Sequence, residues 1–237
     1  MKTIGLIGGM SWESTAIYYR VINERVKQRL GGLHSAKIVL VSIDFAELAV
    51  LQREERWREA GEMMVGAART LAAAGADLLV LTANTMHKVA PAVVDAVPLP
   101  LLHIVDVTAT EIRAAGARTV GLLGTRFTME DDFFRERLAS PHGIRSIVPG
   151  AEDRDFVHRA IYDELCLGVV REPARLRFLE IVGRLAAQGA EGVILACTEL
   201  SLILPPGSSS VALWDTATIH ATAAADLALA DDAGGVR

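Results

Sequence analysis

The two cysteines, Cys166 and Cys197, are the most reactive side chains of the sequence. Cys197 follows an apolar run that predicts a buried strand, and Thr198 and Glu199 come directly after it. A thiol at a strand end lies where helix N-termini lower its pKa, so we expect either a catalytic thiolate or an inert buried thiol. Cys166 lies on the apolar face of a predicted helix and is expected to be a core residue.

Metals and disulfides are not predicted. Two cysteines cannot build a disulfide framework, and they lack the paired spacing of a zinc site. Histidine, aspartate and glutamate likewise form no cluster with metal-ligand spacing. The loop Gly5–Gly9 lacks the G-x-G-x-x-G spacing of a dinucleotide site, and Asp44 follows too far on for the ribose-binding acid. We therefore predict no metal and no nucleotide cofactor.

The chain alternates short apolar runs with segments of helical periodicity. The predicted helices are Trp12–Leu30, Glu54–Ala74, Val107–Ala115 and Ala174–Ala187, and several of them end at a glycine. Alternation of this kind is typical of βαβ units, so we predict an α/β protein with parallel sheets flanked by helices. The predicted strands are Thr3–Ile7, Lys37–Ile43, Leu78–Leu81, Leu101–Ile104, Thr119–Leu123 and Val193–Leu195.

An internal repeat divides the chain into two similar halves. Residues 3–8 resemble residues 119–124, and residues 75–85 resemble residues 189–199, an alignment that sets Ala83 against Cys197. Chance similarity between two buried strands is the alternative explanation. We predict two pseudo-symmetric domains, 1–98 plus 215–237 and 99–214. Ligands of such sheets bind at the carboxyl ends of the strands, where the small and polar loops predict an anion site.

Composition excludes several classes of protein. The 237 residues carry 24 Lys and Arg against 29 Asp and Glu, a net charge of −5 without a basic cluster, so no nucleic-acid partner is predicted. The chain is 51% apolar, and its mean hydropathy is +0.32, but no apolar run approaches the roughly 18 residues of a membrane span. The apolar start is shorter than the core of a signal peptide. We predict a cytoplasmic protein with free thiols and no membrane partner.

Several motifs together resemble the aspartate/glutamate racemase family. They are Met1–Thr15 (MKTIGLIGGMSWEST), Asn84–Lys88 (NTMHK), Leu122–Met129 (LLGTRFTM), His158–Leu165 (HRAIYDEL) and Gly192–Glu199 (GVILACTE). The resemblance implies two α/β domains with the active site in the cleft between them. It also implies a small amino-acid or dicarboxylate substrate, no cofactor (pyridoxal phosphate included), and a homodimer. Two opposed acid/base residues, usually cysteines, move the α-proton in this family.

The resemblance also implies the residues of the site. It makes Cys197 one acid/base residue and gives Thr198 and Glu199 a substrate-binding role, although Glu199 is alternatively an acid at a helix start. Asn84 is a suitable oxyanion donor, or else an Asx-turn residue. The residues expected to bind substrate in the first domain are Met10, Gln52, Asn84, Thr85 and Met86.

Ala83 departs from the family pattern. It occupies the position of the second acid/base residue, and a methyl group moves no proton. The enzyme is then weak or one-sided, or another group or water replaces the acid, or the substitution was engineered. The preferred interpretation is a racemase of aspartate or glutamate. The alternatives are a single-cysteine decarboxylase or related lyase, and a catalytically impaired binding protein.

Overall fold

The protein is described by a computed structural model that covers residues 1–230 and consists of two compact units. The first contains Met1–His103 and the C-terminal segment from His220, and the second is Ile104–Ile219. The predicted divisions, after residues 98 and 214, lie a few residues too early. Leu101–Leu102 hydrogen-bonds to the first sheet, and Ala212–Asp215 to the second, so each strand stays with its own unit. Residues 231–237, which the prediction assigns to the first domain, lie outside the described residues.

The first unit contains a parallel sheet of four strands in the order β2-β1-β3-β4. Ile4–Gly8 and Leu78–Leu81 are entirely buried, which explains their unbroken apolar sequence. In the register, Gly5 lies between Val39 and Leu79. The strands are β1 (Ile4–Gly8), β2 (Ile38–Ser42), β3 (Leu78–Leu81) and β4 (Leu101–Leu102).

The second unit repeats this arrangement with a parallel sheet in the order β6-β5-β7-β8. The same order in both units confirms the predicted two-domain α/β architecture. Gly121 lies opposite Val193, and Leu123 opposite Leu195. The repeated segments 119–124 and 189–199 therefore contain the two central strands of this sheet. The strands are β5 (Thr119–Gly124), β6 (Arg145–Ile147), β7 (Gly192–Ala196) and β8 (Ala212–Asp215).

Helices connect the strands of each sheet. The predicted helix Glu54–Ala74 begins only at Trp57, because Glu55 adopts a left-handed conformation with φ of 54°. The helices of the first unit are α1 (Trp12–Leu30), α2 (Phe45–Arg53), α3 (Trp57–Ala73), the 3-10 helix Thr85–Val89, and α4 (Ala90–Ala96). Those that follow are α5 (Ile104–Ala114), α6 (Arg126–Glu130), α7 (Asp132–Ala139), α8 (Ala151–Asp163), the 3-10 helix Leu165–Leu167, α9 (Glu172–Ala187), α10 (Leu200–Ile203) and α11 (Thr216–Leu229).

Each unit has its own hydrophobic core. In the first unit α3 buries Met64 and Leu71 against Ile7 and Leu79 of the sheet. Complete burial of a side chain of this size contributes about 1.5–3 kcal/mol. From His220 onward the C-terminal helix α11 belongs to the first unit, where the Arg25 guanidinium donates to both carboxylate oxygens of Asp226 at 2.9 Å. Within residues 1–230, no helix combines the length and apolar character that a membrane span requires.

Candidate active site

The loop after β1 carries Met10, one of the predicted site residues of the first unit. Gly9 has a φ of +90°, and a Cβ there would lie 2.2 Å from the carbonyl oxygen of Ile43, so only glycine fits. The Thr15 hydroxyl accepts from the Gly9 N–H at 2.8 Å and donates to the Ser11 carbonyl at 3.0 Å. Ser11 in turn caps α1 by accepting from the Ser14 N–H at 3.3 Å. These bonds fix the glycine loop against the start of α1.

Thr82 and Ala83 follow β3 and turn in different directions. Thr82 is completely buried, and its hydroxyl donates to the Ile7 carbonyl at 3.1 Å, so it is engaged by β1. Ala83 is 9% exposed and belongs to the same buried cluster as Met10 and Met86. The position aligned with Cys197 therefore presents a methyl group in apolar surroundings.

The remaining predicted residues of the first unit are gathered near Ala83. Gln52 is buried, and its amide N–H donates to the Met86 sulfur at 3.2 Å. Asn84 and Thr85 are buried at the start of the 3-10 helix. His87 lies two residues further on, and its Nδ1 is 2.9 Å from the Ala83 carbonyl oxygen, which accepts the hydrogen bond. Met10, Gln52 and Met86 are thus brought together from three separate parts of the chain.

The candidate site of the second unit lies at the carboxyl end of β7. Cys197 follows the last residue of the strand and is 9% exposed. Its thiol donates to Oε2 of Glu199 at 3.0 Å, and the Thr198 hydroxyl donates to the same oxygen at 2.7 Å. Glu199 is 4% exposed, so both bonds form in a protected environment. One carboxylate oxygen therefore holds the hydroxyl and the thiol together.

The acidity of Cys197 differs from the expectation. Burial raises the pKa of the thiol well above its ordinary value, and the negative charge of Glu199 raises it further, with a smaller contribution from Cys166. The expected lowering by helix N-termini does not occur, because the helix that follows, α10, has only four residues and the nearest charge is an anion. Cys197 is therefore a protonated thiol at neutral pH.

Cys166 differs slightly from its predicted position. It lies in the 3-10 helix Leu165–Leu167 rather than within a long helix, and it packs partly buried against the core of the second unit. The chain turns there because α8 ends at Asp163 and Gly168 is left-handed. The interpretation of Cys166 as a packing residue is unchanged by this shift.

Four histidines near the strand ends had no assigned role in the sequence analysis. Nδ1 of His158 accepts from the Arg126 N–H at 3.2 Å, and burial lowers the pKa of His158. In the first unit the rings of His87 and His103 are 4.5 Å apart, and His220 lies 5.7 Å from His87. His87 and His158 stand inside the quoted motifs, whereas His103 and His220 come together only in three dimensions.

Comparison with known proteins identifies the family. The family model described as Asp/Glu/Hydantoin racemase matches residues 7–224. A putative Asp/Glu racemase from Yersinia pestis is 52% identical with a TM-score of 0.90, and the alignment covers 97% of this chain and 100% of that one. An aspartate racemase homologue from Pyrococcus horikoshii is 36% identical with a TM-score of 0.83, covering 96% and 99% of the two chains.

A curated relative extends the similarity at lower identity. A broad specificity amino-acid racemase from Bacillus subtilis is 20% identical over 228 residues, which are 90% of this chain and 92% of that protein. The predicted resemblance is confirmed by these matches, which span almost the whole sequence. The chain belongs to the Asp/Glu/hydantoin racemase family and is an isomerase.

Proposed function

We propose that this racemase interconverts the enantiomers of aspartate or glutamate without a cofactor, with Cys197 as its acid/base residue. The hydrogen bond from the Cys197 thiol to Glu199 is the observation that carries the proposal. A proton on an α-carbon beside a carboxylate is weakly acidic, so its removal requires a base held in a protected site. Cys197 supplies the sulfur, and the carboxylate of Glu199 supplies a neighbouring proton acceptor.

Glu199 serves in this proposal as the partner of the thiol. Because the thiol is protonated at rest, it acts directly as an acid and delivers its proton to the α-carbanion. To act as a base, the sulfur first passes its proton to Oε2 of Glu199 and then takes the α-proton as a thiolate. The Thr198 hydroxyl donates to that same oxygen, so it steadies the carboxylate in both steps.

Substrate binding is proposed for residues at both strand ends. Asn84 and Thr85, together with Thr198, supply polar groups that suit an α-carboxylate and the enediolate formed from it. Met10 and Met86 form an apolar wall, and Gln52 fixes Met86 through the bond to its sulfur. In this proposal Glu199 interacts with the Cys197 thiol and does not bind the substrate.

Ala83 makes the proposed reaction one-sided. Racemisation needs a proton donor on each face of the α-carbon, and we propose that position 83 serves the face opposite Cys197. Thr82 does not substitute for it, since its hydroxyl is completely buried and bonded to Ile7. A water molecule then protonates that face slowly, which limits the rate of inversion.

We also propose that the protein works as a homodimer in the cytoplasm. Tyr18 and Ile22 of α1 are buried in the first unit. Trp12 and Tyr19 of the same helix remain 67% and 56% exposed, which supports a contact at α1. Sedimentation of the parent and of Trp12→Ser with Tyr19→Ser tests the dimer, which the double substitution should dissociate.

The substrate test compares reaction types directly. The protein is incubated with L- and D-aspartate, L- and D-glutamate, and an arylmalonate, and circular dichroism follows the amino acids. We expect slow racemisation of aspartate or glutamate and no gas release from the malonate. Gas release would favour the lyase, which the racemase relatives do not favour, and saturable binding without turnover would favour the binding protein.

A further inference from the structure

His87 holds the backbone that follows the central strand β3. Its backbone N–H donates to the Asn84 carbonyl at 3.0 Å, and its ring Nδ1 lies 2.9 Å from the Ala83 carbonyl oxygen. Because a carbonyl oxygen only accepts, Nδ1 carries the proton and the ring is the donor. One residue therefore engages two successive carbonyls, the first of them at the position aligned with Cys197.

These two hydrogen bonds fix the direction of the neighbouring N–H groups. Asn84 has helical dihedral angles, with φ of −62° and ψ of −52°, so the carbonyls of Ala83 and Asn84 point the same way, toward His87. Both peptide bonds are trans, and in a trans peptide the N–H points opposite to the carbonyl. The N–H groups of Asn84 and Thr85 therefore point away from the His87 ring.

The His87 ring is itself held in place by two other histidines. It is buried, and its centre lies 4.5 Å from that of His103 and 5.7 Å from that of His220, with edge-on contacts to both rings. His220 is fixed in turn, because its Nε2 donates to the Leu102 carbonyl at 2.9 Å. Packing against two rings restricts the orientation of the His87 ring, so the direction of its Nδ1–H is set by the fold.

We infer that His87 is a positioning residue for the racemase reaction. By holding the two carbonyls, it aims the N–H groups of Asn84 and Thr85 at the α-carboxylate and at the enediolate formed from it. This inference rests on the proposed function, in which Asn84 and Thr85 bind that end of the substrate. Donors held in advance stabilise developing negative charge, and loss of one such donor typically lowers kcat about 10²–10³-fold. His87 acts through the backbone and does not contact the substrate.

Two amide substitutions separate positioning from packing. In His87→Asn the side-chain NH₂ group takes nearly the place of Nδ1, whereas in His87→Gln it takes nearly the place of Nε2. Glutamine fills more of the volume of the ring than asparagine does, so a role in packing alone would favour His87→Gln. A role in positioning favours His87→Asn, because only this variant keeps a donor beside the Ala83 carbonyl.

Exchange of the α-proton of aspartate and glutamate in deuterated water, followed by proton NMR, gives kcat and KM for each full-length variant. We expect kcat to stay within about 3-fold of the parent in His87→Asn and to fall at least about 10-fold in His87→Gln. KM should change less, because the charge of the enediolate develops only toward the transition state. His34→Asn, at an exposed histidine, is the control and should match the parent. Equal kcat values in the two His87 variants, or a faster His87→Gln, would overturn the inference.

The tautomer of His87 in the parent provides a second measurement, which decides the matter if thermal unfolding shows that the variants are not folded. Proton–nitrogen NMR of the labelled chain should find the ring proton of His87 on Nδ1 and that of His220 on Nε2. A His87 ring protonated only on Nε2, in a parent that exchanges the α-proton, would overturn the role of His87 alone. A parent that exchanges no α-proton would overturn the proposed function and this role with it.

Discussion

At the scale of single residues, the thiol of Cys197 is held by an anion rather than activated by a cation. The Sγ to Oε2 distance of 3.0 Å and the low exposure of both groups keep the thiol protonated. The location of Cys197 at a strand end was predictable from the apolar run before it. Its raised pKa was not, because that depends on burial and on the direction of the Glu199 side chain.

Cys197 is predicted to be the one essential thiol of the two. Cys197→Ser should lower kcat by about 10²–10⁴-fold, the usual effect of removing an acid/base group. Cys166→Ser should stay within a few-fold of the parent, because this residue packs against the core of the second unit. Racemisation rates of the two purified variants provide the measurement. Similar losses in both would refute the assignment.

Glu199→Gln is predicted to make the Cys197 thiol more acidic and yet to slow the reaction. Loss of the negative charge should lower the pKa of the Cys197 thiol, because Glu199 is second only to burial in raising it. The rate should nevertheless fall at least about 10-fold, since the proton acceptor is gone. The pH dependence of alkylation by iodoacetamide reports the thiol pKa, with Cys166→Ser as the background for both proteins. An unchanged pKa or an unchanged rate would contradict the proposed partnership.

At the scale of elements, the sequence predicts some strands and helices better than others. The central strands β1, β3, β5 and β7 were predicted because strands that are buried along almost their whole length have nearly unbroken apolar sequences. The three-residue strand β6 and the edge strand β8 were missed, since both are partly exposed and carry no such run. Helix α2 (Phe45–Arg53) was also missed, and the predicted helix start at Glu54 was three residues too early, because Glu55 is left-handed.

Gly9→Ala is predicted to destabilise the first unit strongly. The added Cβ would lie 2.2 Å from the Ile43 carbonyl, so the loop between β1 and α1 must move. Gly75→Ala is the matched control, because Gly75 is also left-handed, with φ of +84°, but a Cβ there has nothing within 4 Å. Chemical denaturation should show a loss of about 1–2 kcal/mol for Gly75→Ala and a clearly larger loss for Gly9→Ala. Equal losses would show that the loop accommodates a side chain.

His220 is predicted to make the stability of the protein sensitive to acid. Its Nε2–H donates to the Leu102 carbonyl at 2.9 Å, and its Nδ1 accepts from the Tyr18 hydroxyl at 2.8 Å. This arrangement fixes a neutral ring on α11, and burial lowers the pKa of His220 to about 3 from 6.5. The contribution of the neutral His220 ring to the free energy of unfolding is complete above pH 6.5. It is lost as the pH falls toward 3, because in this range only the unfolded chain takes up the proton.

Urea denaturation at several pH values checks this prediction. The contribution of His220 should fall by about 1.4 kcal/mol per pH unit below its unfolded pKa, or roughly 3 kcal/mol by pH 4. The difference in free energy of unfolding between the parent and His220→Gln should shrink accordingly. His34→Gln, at an exposed histidine, is the control and should follow the parent. A difference that is constant with pH would show that His220 is not neutral in the folded protein.

At the scale of the whole molecule, the internal repeat explains how much of the site the sequence could reveal. Each half ends a central strand with a short polar segment, and this symmetry pairs Ala83 with Cys197. The repeat predicted which positions follow the central strands, because the strand order is the same in the two units. It could not reveal the bond from Gln52 to Met86 or the histidine cluster, which depend on packing between distant segments.

The most direct test of the account follows the α-proton in deuterated water. Proton NMR measures exchange of the α-proton of aspartate and glutamate, and circular dichroism measures inversion. In the parent we expect exchange from one enantiomer, through Cys197, to be faster than inversion. Ala83→Cys should raise inversion about 10²-fold or more, because it restores a proton donor on the other face. Efficient inversion of both enantiomers by the parent, unchanged in Ala83→Cys, would contradict the pairing of position 83 with Cys197.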